Sequence, residues 1–300
     1  MSEKTIALVT AAAARDLDDD LPPLDAALRD AGNGFQIVNW DDAAVDWTQF
    51  DLAVLRSTWD YTTRLPEFLA WADRVSKATL LLNSLDVIRW NTDKHYLGDL
   101  ARAGVLTVPS HFIEPGEDAG IQLERFLNVH ASQEFVVKPS VGAGSRDAQR
   151  YGHEERTLAV AHAQRLLATG RSVLLQPYLD RVDAHGETAL VYFDGIFSHA
   201  IRKGPLLRRG EDPTRALFAA EHITSRRPGT DELRVAEEAL AAIPFVQPLL
   251  YTRVDLVRDG ADKPCVLELE LTEPSLFFAH GDGAAQRFIR AMGKRIQAGI

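Results

Sequence analysis

Two stretches near the C-terminus carry charge in a pattern that could do chemistry: TRVDLV at Thr252–Val257 and VLELEL at Val266–Leu271. Side chains alternate faces along a strand, so Arg253 shares a face with Asp255, and Glu268 with Glu270. If the two strands pair antiparallel across the polar turn between them, Asp255, Glu268 and Glu270 converge. Carboxylates gathered on a half-buried sheet repel and are costly to desolvate. A hard cation such as Mg²⁺, shared with bound phosphates, would resolve that. Acidic alternation alone also describes an idle, solvated outer face, the commoner case.

Further upstream, FVVKPSVGAGSR places Lys138 at the end of an apolar strand and Gly142, Gly144 and Ser145 in the following loop. Such a loop can offer backbone N–H groups to phosphate. It is neither a GK[ST] phosphate loop nor the GxGxxG of a dinucleotide fold, and a plain hairpin loop fits it as well. Only 7 of the 33 basic residues are lysine, and three of the seven fall at element boundaries. Lys138 closes a strand, Lys94 opens a helix, and Lys203 follows a strand into a basic loop, Arg202 to Arg215, that also carries Arg208 and Arg209. A compact ammonium suits phosphate as a point charge. In LLQPYLD, a strand runs into a short hinge, Gln176, Pro177, Tyr178 and Leu179, that could give an adenine ring an apolar slot. Arg56, Ser57, Thr58, Trp59, Asp60 and Tyr61 follow another strand end, where open α/β sheets bind ligands. There Arg56 could hold a carboxylate, Asp60 an ammonium, and Trp59 or Tyr61 form a wall; an aromatic loop packed on the rest of the protein is the equal alternative. The acidic loop Arg15–Asp20 reads as a solvated helix entry.

The elements that must position these residues are legible in outline. Thr5–Thr10, Phe35–Val38, Asp51–Arg56 and Thr79–Asn83 read as strands, with helices at Leu21–Ala31 and Leu65–Lys77 between them, so a parallel sheet is expected over residues 1–90. Thr92 reads as the cap of a helix over Asp93–Ala103. Strands follow at Glu134–Lys138 and Ser172–Pro177 with a helix at Glu154–Ala168, in a central unit of residues 91–180. Residues 181–300 hold two strands joined by Asp194-Gly195, a hairpin signal, then a helix, the two charged strands and a closing helix. The fold class is α/β, with α+β central and C-terminal parts.

A length of 300 residues suggests about two domains. The net charge of −10 disfavours a nucleic-acid binder. One cysteine excludes an internal disulfide, and Cys265 reads as apolar filler. Nine histidines form no HExxH pattern, so no zinc site is expected. No apolar run approaches the roughly 20 residues of a membrane span, and a cytoplasmic protein is expected.

Taken in chain order, Lys94, Lys138 with its glycine loop, the Gln176–Leu179 hinge, the Arg-x-Asp strand and the Glu-x-Glu strand resemble the ATP-grasp superfamily over most of the chain. The resemblance implies an ATP-grasp fold with ATP and Mg²⁺ as cofactors. Lys94 and Lys138 would contact phosphates, Gln176 to Leu179 the adenine, Asp183 or Glu187 the ribose, and Asp255, Glu268 and Glu270 magnesium. Many members have Glu-x-Asn where this chain has Glu268-Leu269-Glu270, which puts the number of ions in doubt. The implied chemistry converts a carboxylate to an acyl phosphate that a nitrogen then attacks. Arg253 would hold the acyl phosphate, and Arg202 and Lys203 would open the basic loop that closes over phosphates. IALVTAAAARDLDDDLPPL, LRSTWDY, NTDKHYL, VVKPSVGAGSRDAQRY and LELELTEPSLFF are similar to stretches of the branch that closes D-cycloserine from O-ureido-D-serine with loss of the carbamoyl group. The expected partner is thus a small amino-acid-like carboxylate, and ligases of this shape suggest a homodimer. A ligase joining an amino acid to a separate amine, or a nucleotide-binding module without turnover, are the alternatives.

Overall fold

Three sheets, each drawn from its own stretch of chain, surround one pocket. A computed structural model describes residues 5–130, 132–210, 222–245 and 249–298. The first sheet is parallel, in the order β2-β1-β3-β4, with β1 at Thr5–Thr10, β2 at Gly34–Asn39, β3 at Leu52–Leu55 and β4 at Leu80–Leu82. The apolar runs are near-continuous because helices cover the sheet. These are α1 (Leu21–Asp30) and α2 (Leu65–Val75), each with proline in its first turn.

Two helices follow where one was expected, α3 (Leu85–Asn91) and α4 (Tyr96–Arg102). Thr92 ends the first rather than capping a helix over 93–103. The physical reason lies at Lys94, whose backbone N–H donates to Ser140 O at 2.9 Å and docks the break onto the glycine loop.

The second sheet is antiparallel, β5-β8-β6-β7, from β5 (His111–Ile113), β6 (Glu134–Pro139), β7 (Gln149–Gly152) and β8 (Val173–Pro177). Helices α5 (Ala119–Val129) and α6 (Arg156–Leu167) bury Phe126 and Leu166 against Phe135 and Val137 on one face. Val136 and Lys138 point to the other, toward the pocket.

After the short helix α7 (Arg181–His185), a third, antiparallel sheet runs β11-β10-β9-β12-β13. Its strands are β9 (Glu187–Phe193), β10 (Ile196–Lys203), β11 (Ile223–Arg226), β12 (Tyr251–Arg258) and β13 (Pro264–Glu270). Asp194 and Gly195 turn β9 into β10 with φ of 52° and 73°, the two positive values of a type I′ hairpin. Helix α8 (Thr230–Ala241) covers one face, with Val235 and Ala239 against Val254 and Leu269. Helix α9 (Ala284–Ala298) packs Phe288 and Met292 into a core shared with β1 and α1. Among the described residues no helix is long and apolar enough to cross a membrane.

Candidate functional site

Strand pairing brings the charged side chains together. In the β12–β13 register Arg253 lies opposite Glu270 and Asp255 opposite Glu268, on one face of the sheet. A bulge follows, so Leu256 pairs with Val266 and the extra residue, Leu267, lines the pocket with Val257. On β10, Lys203 pairs with Glu187 of β9 on the same face. Lys138 approaches from the second sheet, and Lys94 from the α3–α4 break.

The acids and bases interlock. Lys138 Nζ donates to Glu268 Oε1 at 2.8 Å, with Lys94 Nζ at 3.8 Å from Glu268 Oε2. Lys203 Nζ donates to Asp255 Oδ2 at 2.6 Å and lies 3.1 Å from Glu187. Arg253 grips Asp255 with Nε and Nη2, both at 2.9 Å, and its Nη2 also reaches Glu270. Burial works against each carboxylate, and the outcome depends on its partners. Lys138 and Lys94 outweigh burial and hold Glu268 far below the ordinary range; Arg253 and Lys203 hold Asp255 low. Burial prevails at Glu270, pushed up to about 7 against the pull of Arg253, and at Glu187, raised despite Lys203.

Around this cluster the pocket has two ends. At one, Val108, Val136, Leu179, Val182 and Leu267 form an apolar slot beside Gln176 and Tyr178. Arg150 lies over the Tyr178 ring, 3.5 Å from its centroid, and stiffens the hinge from outside. The glycine loop reaches in from above. Gly144 has φ of 60°, a left-handed value that glycine adopts freely, and Lys94 Nζ donates to Gly142 O at 2.8 Å. Gly142, Gly144 and Ser145 all line the pocket, as does Arg146, which was not among the expected residues. At the other end stand Trp59, Tyr61, Asn91, Thr92, Glu273 and Ser275.

Several expected residues lie elsewhere. Alternation on β10 turns Arg202 away from Lys203, and its guanidinium donates to His185 O and Ala184 O at 2.7 and 3.0 Å. Arg56 is 1% exposed and tied to Asp20 and Pro274 O, where it braces the turn that follows β13. Asp60 accepts from the Trp40 indole at 2.8 Å, and Ser57 and Thr58 are fully buried; none of these lines the pocket. Asp183 takes the Tyr178 hydroxyl and Arg150 outside the pocket, whereas Glu187 lines it. Asp255 is 1% exposed and lies beneath the lining under Lys203 and Arg253, while Glu268 and Glu270 face the space. Among the described residues no group of three or more His, Cys, Asp or Glu side chains forms a ready metal cage, because cations already occupy these carboxylates. Arg215 lies outside the described residues.

Composition and spacing gave no sign of the residues that hold β13 in place. It is an edge strand whose outer backbone groups are taken by the 106–108 backbone at Val266 and by side chains further along. Asn91 donates to Leu269 O and accepts from Leu271 N, both at 2.7 Å; the Tyr96 hydroxyl accepts from Leu269 N at 3.0 Å; Asn83 donates to Leu271 O at 2.7 Å. Single buried amides have no periodicity to betray them. Glu273 was likewise missed. Its backbone oxygen accepts from the Trp59 indole at 3.1 Å; burial, with Glu270 beside it, pushes its carboxyl up to about 8.

The family model for the N-terminal domain of D-cycloserine synthetase DcsG matches residues 6–83. The chain is similar to the cycloserine biosynthesis protein DcsG of Streptomyces lavendulae, at 42% identity over 297 residues, covering 97% of this chain and 99% of that one. The crystal structure of D-cycloserine synthetase DcsG superposes with a TM-score of 0.91 at 42% identity, over 97% of this chain and 99% of that chain. More distant structures share the fold. D-alanine–D-alanine ligase from Bacillus anthracis, complexed with ATP, has a TM-score of 0.68 at 13% identity over 99% and 97% of the two chains. The ATP-grasp ligase PsnB, complexed with a minimal precursor, Mg and ADP, has 0.60 at 15% over 96% and 98%.

Proposed function

The chain belongs to the family of the cycloserine biosynthesis protein DcsG, within the ATP-grasp ligases, and is an ATP-dependent ligase; from that premise we propose that it closes O-ureido-D-serine to D-cycloserine in antibiotic biosynthesis. The observation that carries the proposal is identity to DcsG along almost the whole chain, at a level that extends beyond the shared fold.

ATP supplies the phosphoryl group that turns a carboxylate into an acyl phosphate. The slot of Val108, Val136, Leu179, Val182 and Leu267 suits its adenine, and Glu187, at the slot's rim, suits the ribose. Lys138 and Lys94 would share their charge between Glu268 and phosphate oxygens, under the N–H groups of the glycine loop. The donor set also fits Mg²⁺: Glu268 and Glu270 are hard oxygen donors facing the pocket, and they would exchange part of their pairing with Lys138 and Arg253 for the ion. Asp255 serves from beneath, fixing Lys203 and Arg253. Arg253, braced by two carboxylates and by Ser275 O at 3.0 Å, presents donors to the developing charge on the acyl phosphate. Trp59 and Tyr61 wall the opposite end and would exclude water, which otherwise hydrolyses that intermediate.

ADP release and product mass with O-ureido-D-serine as lone substrate test this reading. Ring closure predicts ADP, phosphate and cycloserine without a second amine, with the carbamoyl group lost to water as carbon dioxide and ammonia. Turnover that requires an added amine would identify a peptide-forming ligase instead.

A further inference from the structure

We propose that Glu273 is the receptor for the α-ammonium of the amino-acid substrate. The inference rests on the reading above, in which an amino acid is activated at its carboxylate. An amino acid carries opposite charges on one carbon, so a site that activates the carboxylate must place a second group for the amine.

At the Trp59–Tyr61 end of the pocket, Glu273 is the carboxylate placed for that task. The cations nearby are already engaged. Arg253 is held by Asp255, Glu270 and Ser275 O, Lys203 by Asp255 and Glu187, and Lys94 and Lys138 face Glu268. Among the described residues, no such ion pair reaches Glu273, which lines the pocket with Trp59 and Tyr61. That leaves a pocket-lining carboxyl with room to accept charged donors. Its backbone is anchored in advance, since the Trp59 indole donates to its carbonyl oxygen at 3.1 Å. Aromatic neighbours lower the local polarity, which strengthens a pairing of opposite charges there. Arg253 and Glu273 border the same end of the pocket, flanking Ser275 with the opposed charges that a zwitterion needs.

Binding of the amine should therefore depend on Glu273, which gives up its proton to solvent when it pairs with the ammonium, and binding of the carboxylate should not. Glu273→Gln keeps the shape and an oxygen acceptor but cannot ionise, so the fold and ATP affinity should persist. The test measures ADP release by wild type and E273Q on matched acids that differ only in the amine: O-ureido-D-serine against 3-(ureidooxy)propanoate, and D-serine against 3-hydroxypropanoate. We expect E273Q to lose roughly 10- to 100-fold in kcat/KM on the amino member, chiefly through KM, the range for a hydrogen bond to a charged group. The deamino member should change less than about threefold. An equal loss on both members, a loss confined to kcat, or no loss on either overturns the assignment. Turnover of D-serine but not O-ureido-D-serine, with the amine-selective loss intact, removes the substrate proposed above and keeps Glu273 in its role. Wild-type enzyme inactive on every amino member removes both.

Discussion

Asn91 stands in for a missing strand, and its replacement makes a quantitative test of how the site is held. Its amide satisfies Leu269 O and Leu271 N, both at 2.7 Å, and takes the Thr272 hydroxyl at 3.3 Å. Asn91→Ala leaves those two backbone groups without partners in a buried place. At about 1–3 kcal/mol for each orphaned group, the fold should lose about 2–6 kcal/mol. The two groups also bracket Glu270 and follow Glu268, so strand movement there displaces both carboxylates. A displacement of about 1 Å in such a site costs on the order of 100-fold in rate. Asn91→Asp separates hydrogen bonding from volume. It keeps an acceptor for Leu271 N but turns an anionic oxygen on Leu269 O, so it should destabilise at least as much as the alanine despite its near-identical size. Urea unfolding gives the stability and steady-state ADP release gives the rate. If N91A and N91D both stay within about 0.5 kcal/mol of wild type, the edge-strand argument fails.

Other outcomes follow from the same geometry. Lys138→Met should lower kcat/KM for ATP by about 10²- to 10³-fold, measured by coupled ADP assay on protein whose folding is checked by circular dichroism, since it also removes the close partner of Glu268; a loss under tenfold contradicts its phosphate role. Arg202→Ala should leave kcat/KM within about twofold while Lys203→Ala loses at least about 100-fold, because the two point to opposite faces of β10; equal effects would refute that division. Burial lowers His162 from 6.5 to about 4, so the fold holds it neutral while the unfolded chain protonates it below pH 6.5. The resulting stability is complete above pH 6.5 and is lost as pH falls toward 4. Between pH 7 and 5, wild type should therefore lose about 2 kcal/mol relative to His162→Gln, read from urea titrations at both pH values; parallel curves would exclude it.

Much of the scaffold was legible because periodic patterns carry it. Continuous apolar runs with helices between them gave the parallel sheet, and Asp194-Gly195 gave the hairpin. The convergence of Asp255, Glu268 and Glu270 followed from alternation and held through the register, with the bulge coming only after Glu268. What alternation could not tell was which carboxylate faces the space: Asp255 lies beneath its own cations. Arg56 and Asp60 have the right charges for a substrate, yet they are taken by Asp20 and Trp40, long-range partners that spacing does not encode. Residues defined by one tertiary contact, Asn83, Asn91 and Glu273, were out of reach for the same reason. The break at Lys94 has no local signal because its cause, Ser140 O, is remote in sequence.

The central claim is that the substrate carboxylate takes a phosphoryl group before nitrogen captures its carbon. O-ureido-D-serine labelled with ¹⁸O in the carboxylate, turned over with unlabelled ATP, tests this by mass spectrometry of the released phosphate. An acyl phosphate hands one carboxylate oxygen to phosphate when the ring closes, so the account predicts one ¹⁸O in each phosphate released. Phosphate free of label, alongside ADP and product, would contradict it.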